Sequence, residues 1–401
     1  PLPNLDKTFK PPFLVRDTSY ECPGGGGDFR AHLRENAGRD NADGCFGTRY
    51  LHDGRCHSYF RYISPGEYFD THPEYFSELG GIRRKEETQL CLTNPDVLDI
   101  VTERILKRME EAPEYQQYNF SQMDYYRYCE CDQCRAINEQ YGSPGATQFW
   151  FVNQLAERTA KVHPDKFTGT LAYMYTETPP QNMRMHPNVA VWLCHMFPCC
   201  DSHPIRTCPR NAAYKERAEE WSKICGHLYI WHYIVDFAHY YNPFPNFVSM
   251  ADDLRFYRDI GVEGIYLQGM GHGGGGGEWS LLRPYYGMKL LWNPDLEPGA
   301  IMQDFLDGYY GAAAKPLREY ITLLQNKVAN DNIHMHLYTN PAQGYLPDDV
   351  MDTAGTLFDQ AEKAVENDAP LLERVRVARM PLTYARVFPR NGYAIENNVL
   401  T

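Results

Sequence analysis

Four carboxylates stand at the ends of segments whose composition predicts β-strands: Asp124, Glu177, Asp236 and Glu278. In folds built from alternating strands and helices, catalytic side chains occupy the loops that follow the strands. Carboxyl groups can cleave a glycosidic bond, because one protonates the leaving oxygen while a second group stabilises or traps the oxocarbenium ion. That second group is another carboxylate or the substrate's own 2-acetamido oxygen. The four residues therefore predict acid–base chemistry on a sugar.

Asp124 and Glu278 are the two predicted catalytic acids. Asp124 lies in the run FSQMDYYRYCECDQC, with Gln122 as a predicted substrate contact and tyrosines close by. Glu278 and Trp279 follow the glycine run Gly273–Gly277, and so many glycines are costly to order unless the backbone approaches a ligand closely or covers a cleft. The alternatives are an Asx turn at Asp124 and a helix-starting Glu278 favoured by the helix dipole. Glu177 and Asp236 are predicted to assist in binding.

Aromatic residues are abundant, with 30 Tyr, 19 Phe and 6 Trp making 14% of the chain. Aromatic rings stack on the C–H faces of sugars, although tyrosine also bridges core and surface in many proteins. Three pairs are interpreted as alternating strand positions, which would put each pair on one face: Tyr173 and Tyr175, Trp192 and His195, and Trp231 and Tyr233. With His57, they are predicted sugar contacts, and core packing is the alternative for about half of them.

Cys129, Cys131 and Cys134 form a C-x-C-x2-C motif, and further cysteines follow between residues 194 and 208. A structural zinc site needs four ligands, and only three are close in sequence. We therefore predict no metal here, and disulfides or buried thiols that rigidify the loop after Asp124. Twelve cysteines in one chain favour an exported protein, located in the periplasm, at the cell surface or secreted. No nucleotide-binding motif is present, so no cofactor is predicted.

Charge and hydropathy exclude two classes of partner. The chain carries 39 Lys and Arg against 52 Asp and Glu, for a net charge of −13, which disfavours nucleic acid and anionic membranes. No run of about 18 apolar residues is present to span a bilayer. A glycan or glycoprotein is the predicted partner.

Strand-like and helix-like segments alternate from about residue 57 to residue 290, each strand ending on polar residues. This pattern is typical of parallel βα units, and predicts an α/β fold, a (β/α)8 TIM-type barrel with a C-terminal helical segment. Strands are expected at 57–63, 118–124, 167–176, 188–196, 228–237 and 264–271. Residues 1–295, with an irregular N-terminal segment, are assigned to the barrel, and residues 296–401 to a helical region packed on it.

Several ordered motifs resemble one bacterial barrel family, long described as a domain of unknown function, some members of which are glycoside hydrolases of family 163. The motifs include YFDTHPEYF, YCECDQC, LAYMYTETPP, GGGGEWSLLR and FLDGYYGAAA, between about His57 and Tyr320. The resemblance implies a barrel similar to those of β-hexosaminidases and α-glucuronidases. It also implies an endo-β-N-acetylglucosaminidase that releases complex N-glycans from glycoproteins. It supports Asp124 and Glu278 as acids and His57, Tyr173, Tyr175, Trp231 and Tyr233 as sugar contacts.

The chain departs from that family at Met123, His232 and Leu267, where many relatives carry Asn, Asp and Glu. The expected activity is a retaining, substrate-assisted cleavage of N-acetylglucosamine-containing glycans. An α-glucuronidase-like or other exo-acting glycosidase is one alternative. A non-catalytic glycan-binding barrel is the other.

Overall fold

Seven parallel strands form the centre of the fold in the computed structural model. It describes residues 8–20, 27–37, 50–196, 200–270, 276–341, 344–388, 395–396 and 399–400. The strands are, in chain order, β1 (Val15–Thr18), β2 (His52–Asp53), β5 (Gln117–Asn119), β6 (Phe167–Ala172), β7 (Val189–His195), β8 (His227–Tyr233) and β9 (Gly264–Gln268). Their order in the sheet is β1-β9-β8-β7-β6-β5-β2. The short antiparallel hairpins are β3 (Glu78–Leu79) with β4 (Ile82–Arg83), and β10 (Ile395–Glu396) with β11 (Val399–Leu400).

Side chains along each central strand alternate between two apolar environments, as a sheet covered on both faces requires. All seven residues of β7 are buried. Trp192 and Cys194 join the cluster inside the curled sheet, whereas Leu193 packs with the surrounding helices. Trp192 pairs in register with Leu171 of β6 and with Tyr229 of β8, so the interior cluster runs across neighbouring strands.

The curled sheet is a half-barrel, and the segments that carry its two edge strands are linked through one residue. The amide of Asn36 donates to the carbonyl of Arg16 at 3.1 Å, and the carbonyl of Asn36 accepts from the amide of Tyr50 at 2.8 Å. The predicted α/β architecture with parallel strands is confirmed. The full set of eight strands is not: the sheet that the described residues form has seven.

Helices separate the strands and cover the outside of the sheet. They are α1 (Gly27–His32), α2 (Tyr59–Tyr62), α3 (Pro65–Tyr68), α4 (Pro95–Glu111), α5 (Asp132–Gln140), α6 (Ala146–Ala160), α7 (Ala212–Ile224), α8 (Phe247–Asp259) and α9 (Leu282–Trp292). The sequence predicts α4 well, because Asn94 is its N-cap and accepts from the Asp96 amide at 2.9 Å. Val97, Val101 and Ile105 then form its buried stripe.

Four long helices follow in the region predicted to be helical: α10 (Pro298–Tyr310), α11 (Ala314–Asn330), α12 (Asp348–Ala364) and α13 (Ala369–Val387). The segment between α11 and α12 returns to the sheet, where the carbonyl of Leu337 accepts from the amides of Phe237 at 2.7 Å and Ala238 at 3.2 Å. The proposed boundary at residue 295 stays a prediction. Among the described helices, none combines the length and apolar character that crossing a bilayer requires.

Two local predictions are wrong. Residues 57–63 were expected to form a strand, but Tyr59 and Tyr62 lie on the buried side of the short helix α2. The N-terminal segment was expected to be irregular, yet it contributes β1, which pairs with β9 in register from Val15 with Gly264 to Thr18 with Leu267. Both errors have one cause: these short segments take their conformation from distant partners.

Gly264 tests the packing where β1, β8 and β9 meet. A Cβ atom added there would lie 2.5 Å from the Val15 Cβ and 2.5 Å from the Tyr229 Cδ1. We expect Gly264→Ala to lower the free energy of unfolding by about 1–3 kcal/mol, because the Val15 Cβ belongs to the strand and cannot swing away. Gly226→Ala is the matched control, since no atom lies within 4 Å of its added Cβ. Equal urea midpoints for the two variants would contradict this packing.

Candidate active site

The four carboxylates singled out by the sequence all follow the carboxyl ends of parallel strands. Asp124 follows β5, Glu177 follows β6, Asp236 follows β8 and Glu278 follows β9. Because the strands are parallel, these loops share one edge of the sheet, the edge where barrel enzymes place their chemistry. Their exposure differs greatly. Asp124 is exposed and Glu177 is half-buried, whereas Asp236 and Glu278 are 1% and 4% exposed.

Asp124 is the open carboxylate of this edge. Its Oδ1 accepts a hydrogen bond of 2.9 Å from the Tyr173 hydroxyl. Tyr126, two residues further along, is 73% exposed, and Tyr338 is 45% exposed. Burial, followed by the nearby Tyr126 and Asp124, raises the pKa of the Tyr338 phenol. Asp124 is therefore surrounded by tyrosines from three loops, with one of its oxygens held in place.

Hydrogen bonds from the Gln122 side chain hold the turn after β6 in place. The Gln122 side chain is fully buried, and its Nε2 donates to the Tyr173 carbonyl at 3.0 Å and to the Thr176 hydroxyl at 2.8 Å. The backbone carbonyl oxygen of Gln122 is 2.9 Å from the Nδ1 of His57, whose ring centre is 6.0 Å from that of Tyr173. Gln122 was expected to contact the substrate, but its side chain is buried and instead positions Tyr173.

Positive φ angles occur in the loops of this edge at His57 (51°), Met174 (56°) and Trp279 (53°). Non-glycine residues rarely adopt positive φ, and such strain concentrates where a side chain must be held in one direction. In this chain the strained residues include His57 itself and Met174, the first residue of the 3-10 turn Met174–Thr176. That turn lies between Tyr173 and Glu177.

Glu177 combines partial exposure with an altered proton affinity. Its side chain is 16% exposed and lies 3.4 Å from the Arg217 guanidinium. Burial raises the pKa of the Glu177 carboxyl, and the charge of Arg217 offsets only part of that rise. The Trp221 indole donates to the Glu177 carbonyl at 2.8 Å, which anchors the backbone of the turn on α7.

Glu278 forms a buried ion pair with Arg283, which is fully buried. The Arg283 Nε donates to the Glu278 Oε2 at 2.8 Å, and its Nη1 and Nη2 donate to the carbonyls of Ile234 at 2.9 Å and Phe244 at 2.6 Å. The other Glu278 oxygen accepts from the Phe244 amide at 3.4 Å. The predicted catalytic acid Glu278 is therefore placed in a network that ties the loop after β8 to α9, away from the open surface.

Asp236 has a similar internal role. Its Oδ1 accepts from the amides of Ala238 and His239, both at 3.1 Å, and its Oδ2 accepts from the Asn242 side chain at 2.8 Å. Burial raises the pKa of Asp236 to about 7, although these donors favour the charged form. The carboxyl organises the turn after β8 rather than facing solvent.

The interior face of the sheet presents aromatic side chains toward the same edge. Trp231 is half-buried, its indole donates to the Gln268 side chain, and its ring lies edge-on to Tyr266 at 4.8 Å. Tyr233 lies 5.7 Å from the ring of Phe237. Trp231 and Tyr233 share one face, as the alternation predicted.

Other predicted contacts lie elsewhere. Trp192 and His195 are three residues apart, so they point to opposite faces of β7, contrary to the interpretation of the pair. Trp192 is deep in the sheet interior and stacks on Tyr229 at 4.9 Å. His195 lies on the helix side, 4.5 Å from the Tyr214 ring, where burial lowers its pKa to about 3.

Tyr175 and Trp279 also face away from Asp124's surroundings. The strand β6 ends at Ala172, so Tyr173 and Tyr175 are not alternate strand positions as predicted, and Tyr175 stacks on Tyr128 at 4.9 Å beside the cysteine loop. Trp279 is 6% exposed and packs near Tyr310 and Tyr320 at 6.2 and 6.1 Å, so it anchors the C-terminal helices. Gly273–Gly275 of the glycine run lie outside the described residues.

Positions 232 and 267, at which the family resemblance led us to expect acids in relatives, are also on the helix side. His232 is buried against His195 and Tyr257, and Leu267 belongs to the helix-facing cluster. A carboxylate at either position of this chain would point away from the sheet interior.

Sequence reasoning did not identify Tyr338, Asp17 and Arg55 as residues of this edge. Tyr338 comes from the segment between α11 and α12, and no local sequence pattern predicts its position here. Asp17 of β1 pairs with Arg55 at 2.5 Å, and the Arg55 guanidinium lies 4.0 Å over the Tyr266 ring. The alternation of Phe13, Val15 and Asp17 could have revealed β1.

Burial, then the charge of Asp17, raises the pKa of the neighbouring Glu35 to about 8.

The cysteine motif has a further member. Cys129, Cys131 and Cys134 form one buried cluster with Cys91, which invalidates the premise that only three ligands are available. The cysteines that the structure describes are all free thiols, so of the two alternatives predicted for the loop after Asp124, disulfides or buried thiols, the structure has buried thiols.

Comparisons with known proteins agree with this architecture. A family model described as "Domain of unknown function (DUF4838)" matches residues 2–322. No curated relative matches the sequence. A solved family GH115 4-O-methyl-α-glucuronidase with specificity for decorated arabinogalactans is similar, with a TM-score of 0.53 and 11% identity over 94% of this chain and 54% of that one.

A GH138 enzyme targeting pectin rhamnogalacturonan II has a TM-score of 0.42 and 10% identity over 94% of this chain and 57% of that one. The chain thus spans little more than half the length of either structure. At these identities, the GH115 similarity shows the fold alone, and the GH138 score is too low to support an argument.

The Glu278–Arg283 pair generates a stability prediction. We expect Arg283→Met to lower the free energy of unfolding by about 3–5 kcal/mol near neutral pH, because it leaves a buried carboxylate without a counter-charge. Burial already raises the pKa of Glu278, and removing Arg283 raises it further. A carboxyl with a raised folded-state pKa stabilises the fold at low pH and loses that contribution as the pH rises. The loss of unfolding free energy in Arg283→Met should therefore become smaller as the pH falls toward about 4.

Arg258→Met is the matched control, since Arg258 pairs with the 74% exposed Asp295 at the surface. It should cost less than about 1 kcal/mol. Urea unfolding at several pH values measures both variants. A deficit for Arg283→Met that does not change with pH would contradict the assignment.

Proposed function

We propose that this chain, which belongs to the DUF4838 family, is a glycoside hydrolase that uses Asp124 at the open carboxyl edge of its sheet. The observation that carries the proposal is the exposed Asp124 carboxylate, held at 2.9 Å by the Tyr173 hydroxyl among further tyrosines. A carboxylate with one oxygen fixed and the other free can act on a sugar bound against aromatic rings.

Glu177 suits the role of general acid better than Glu278. A general acid must carry its proton near the working pH, and a carboxyl in a low-dielectric environment keeps its proton to higher pH. Burial raises the pKa of Glu177, and its side chain still reaches solvent. Glu278 also has a raised pKa, but both of its oxygens are engaged inside the protein. In this proposal Glu177 protonates the leaving oxygen, and Asp124 is the charged partner.

The finer proposal is a retaining, substrate-assisted endo-β-N-acetylglucosaminidase. In that reaction the acetamido oxygen of the substrate attacks the anomeric carbon, the leaving oxygen takes the proton of the acid, and water then opens the cyclic intermediate. Asp124 would orient the acetamido group and balance its charge. The support comes from the sequence motifs and from the position of Asp124 beside Tyr173.

Two alternatives have observations of their own. An α-glucuronidase-like enzyme must recognise a sugar carboxylate. Arg55 is a partly exposed cation at the carboxyl edge of the sheet, although Asp17 already neutralises its charge. A non-catalytic glycan-binding protein would explain why Asp236 and Glu278 are used internally. For the hydrolase and for both alternatives we propose a periplasmic, cell-surface or secreted location, because such glycans occur there.

The acid assignment is tested by amide variants. We expect Asp124→Asn and Glu177→Gln each to lower kcat by about 10²–10⁴-fold, the range for loss of acid–base catalysis. Asp165→Asn and Glu114→Gln are matched controls, because both are exposed and precede β6 and β5 at the opposite edge of the sheet. Released glycans are measured by mass spectrometry. In the wild type kcat/KM should fall as the pH rises through the raised pKa of Glu177. Full activity in both amide variants would contradict the assignment.

The substrate class is tested with a thiazoline analogue of N-acetylglucosamine, which mimics the cyclised intermediate. If the acetamido group participates, the analogue should inhibit competitively, and N-glycoproteins should lose whole glycans. Cleavage of glucuronate-bearing glycans without thiazoline inhibition would support the uronidase alternative. Binding to glycans without any cleavage would support the binding protein. In that case Trp231→Ala should weaken binding while Asp124→Asn changes it little.

A further inference from the structure

Four cysteine thiols from separate parts of the sequence meet in one buried cluster. Cys91 precedes α4, Cys129 and Cys131 lie on the loop after β5, and Cys134 lies in the first turn of α5. Their Sγ atoms all lie within 4.8 Å of one another. The Cys91 Sγ is 3.7 Å from that of Cys131 and 3.9 Å from that of Cys134.

These separations exclude disulfides and match a tetrahedral metal site. A disulfide brings two sulfurs to about 2.05 Å. Four sulfurs placed about 2.3 Å from a central zinc ion are about 3.8 Å apart along each edge of the tetrahedron. An iron–sulfur cluster would hold its thiolates further apart, because the inorganic core lies between them.

We propose that Cys91, Cys129, Cys131 and Cys134 bind one Zn²⁺ ion as a structural four-thiolate site. Four zinc–sulfur bonds form, the four S–H protons leave to solvent, and no electron is transferred. The residues are between 1% and 9% exposed, which leaves no open position for water. Closed tetrahedral sites of this kind stabilise folds, whereas catalytic zinc sites keep one position open.

The surroundings of the cluster suit an anionic metal complex. Four thiolates and one Zn²⁺ carry a net charge of 2−, and the Arg83 Nη1 lies 3.7 Å from the Cys129 Sγ. The Glu78 amide donates to the same sulfur at 3.4 Å, and the Thr93 hydroxyl lies 3.2 Å from the Cys134 Sγ. A cation and N–H or O–H donors directed at the ligands are what a buried thiolate site requires.

The site would join the β3–β4 hairpin and the start of α4 to the loop that carries Asp124. Only four residues separate Asp124 from Cys129. The Gln89 side chain, close to Cys91, donates to the carbonyls of Met123 at 3.0 Å and Tyr125 at 3.2 Å. The metal therefore restrains this loop from one side. The inference concerns the metal alone and does not depend on the proposed hydrolase activity.

The first experiment measures zinc bound per chain by mass spectrometry in the full chain, purified without chelator. We expect Cys91→Ser to contain one zinc fewer than the wild type. Cys225→Ser is the matched control and should keep the wild-type content, because Cys225 is a buried thiol outside the cluster that donates to the His227 carbonyl at 3.2 Å. Wild-type protein without bound metal, or Cys91→Ser with undiminished zinc, would overturn the proposal.

The second experiment leaves all four proposed ligands unchanged, so it decides the question even where Cys91→Ser does not fold. Zinc X-ray absorption should show four sulfur neighbours at about 2.3 Å. A second group, Cys200, Cys208 and His334, also has its ligand atoms within 4.8 Å of one another. The spectrum is therefore recorded for the wild type and for Cys208→Ser. Fewer than four sulfurs in Cys208→Ser, or iron in place of zinc, would reject the proposed site.

Discussion

The alternation of side chains along the parallel strands is the constraint on which the rest of the structure depends. Both faces of the sheet are covered, so each strand residue packs either inside the curl or against the helices. On β8, Trp231 and Tyr233 point inside, while His232 between them points to the helices. The same rule separates Trp192 from His195 on β7. An aromatic residue can therefore reach a ligand only if it lies on the interior face and near the carboxyl end of its strand.

Burial then divides the carboxylates into two groups. Taking a charge out of water is costly unless a counter-charge or several hydrogen bonds replace the solvent. Glu278 meets this requirement through Arg283, and Asp236 meets it through two amides and the Asn242 side chain. Those interactions build the loops that surround the sheet edge, and they leave few atoms free for a substrate. Asp124 is solvated and Glu177 is partly so, which leaves these two able to change partners during a reaction.

The sequence was informative where structure is determined locally. The helix α4 follows from its Asn94 cap and its apolar stripe, and the parallel βα units follow from strand and helix periods that repeat along the chain. What could not be predicted depends on contacts between distant segments. The short strand β1 exists because it pairs with β9, about 250 residues later, and Tyr338 reaches the site from beyond α11. The alternation of Phe13, Val15 and Asp17 indicates a strand, but a single sequence contains no signal that specifies its pairing with β9 or the place of Tyr338.

Cys91 shows how one long-range contact changes a chemical conclusion. Three cysteines in C-x-C-x2-C spacing argue against a structural metal, whereas four convergent thiols argue for one. The fourth thiol also changes the interpretation of the loop that carries Asp124. One side of that loop is held by the cysteine cluster and by Gln89, and the other by Gln122 through the β6 turn and Tyr173. An exposed carboxylate normally samples many directions, and a loop restrained on both sides reduces that freedom before any ligand binds. Such preorganisation is what acid–base catalysis requires of a group that must remain in contact with solvent.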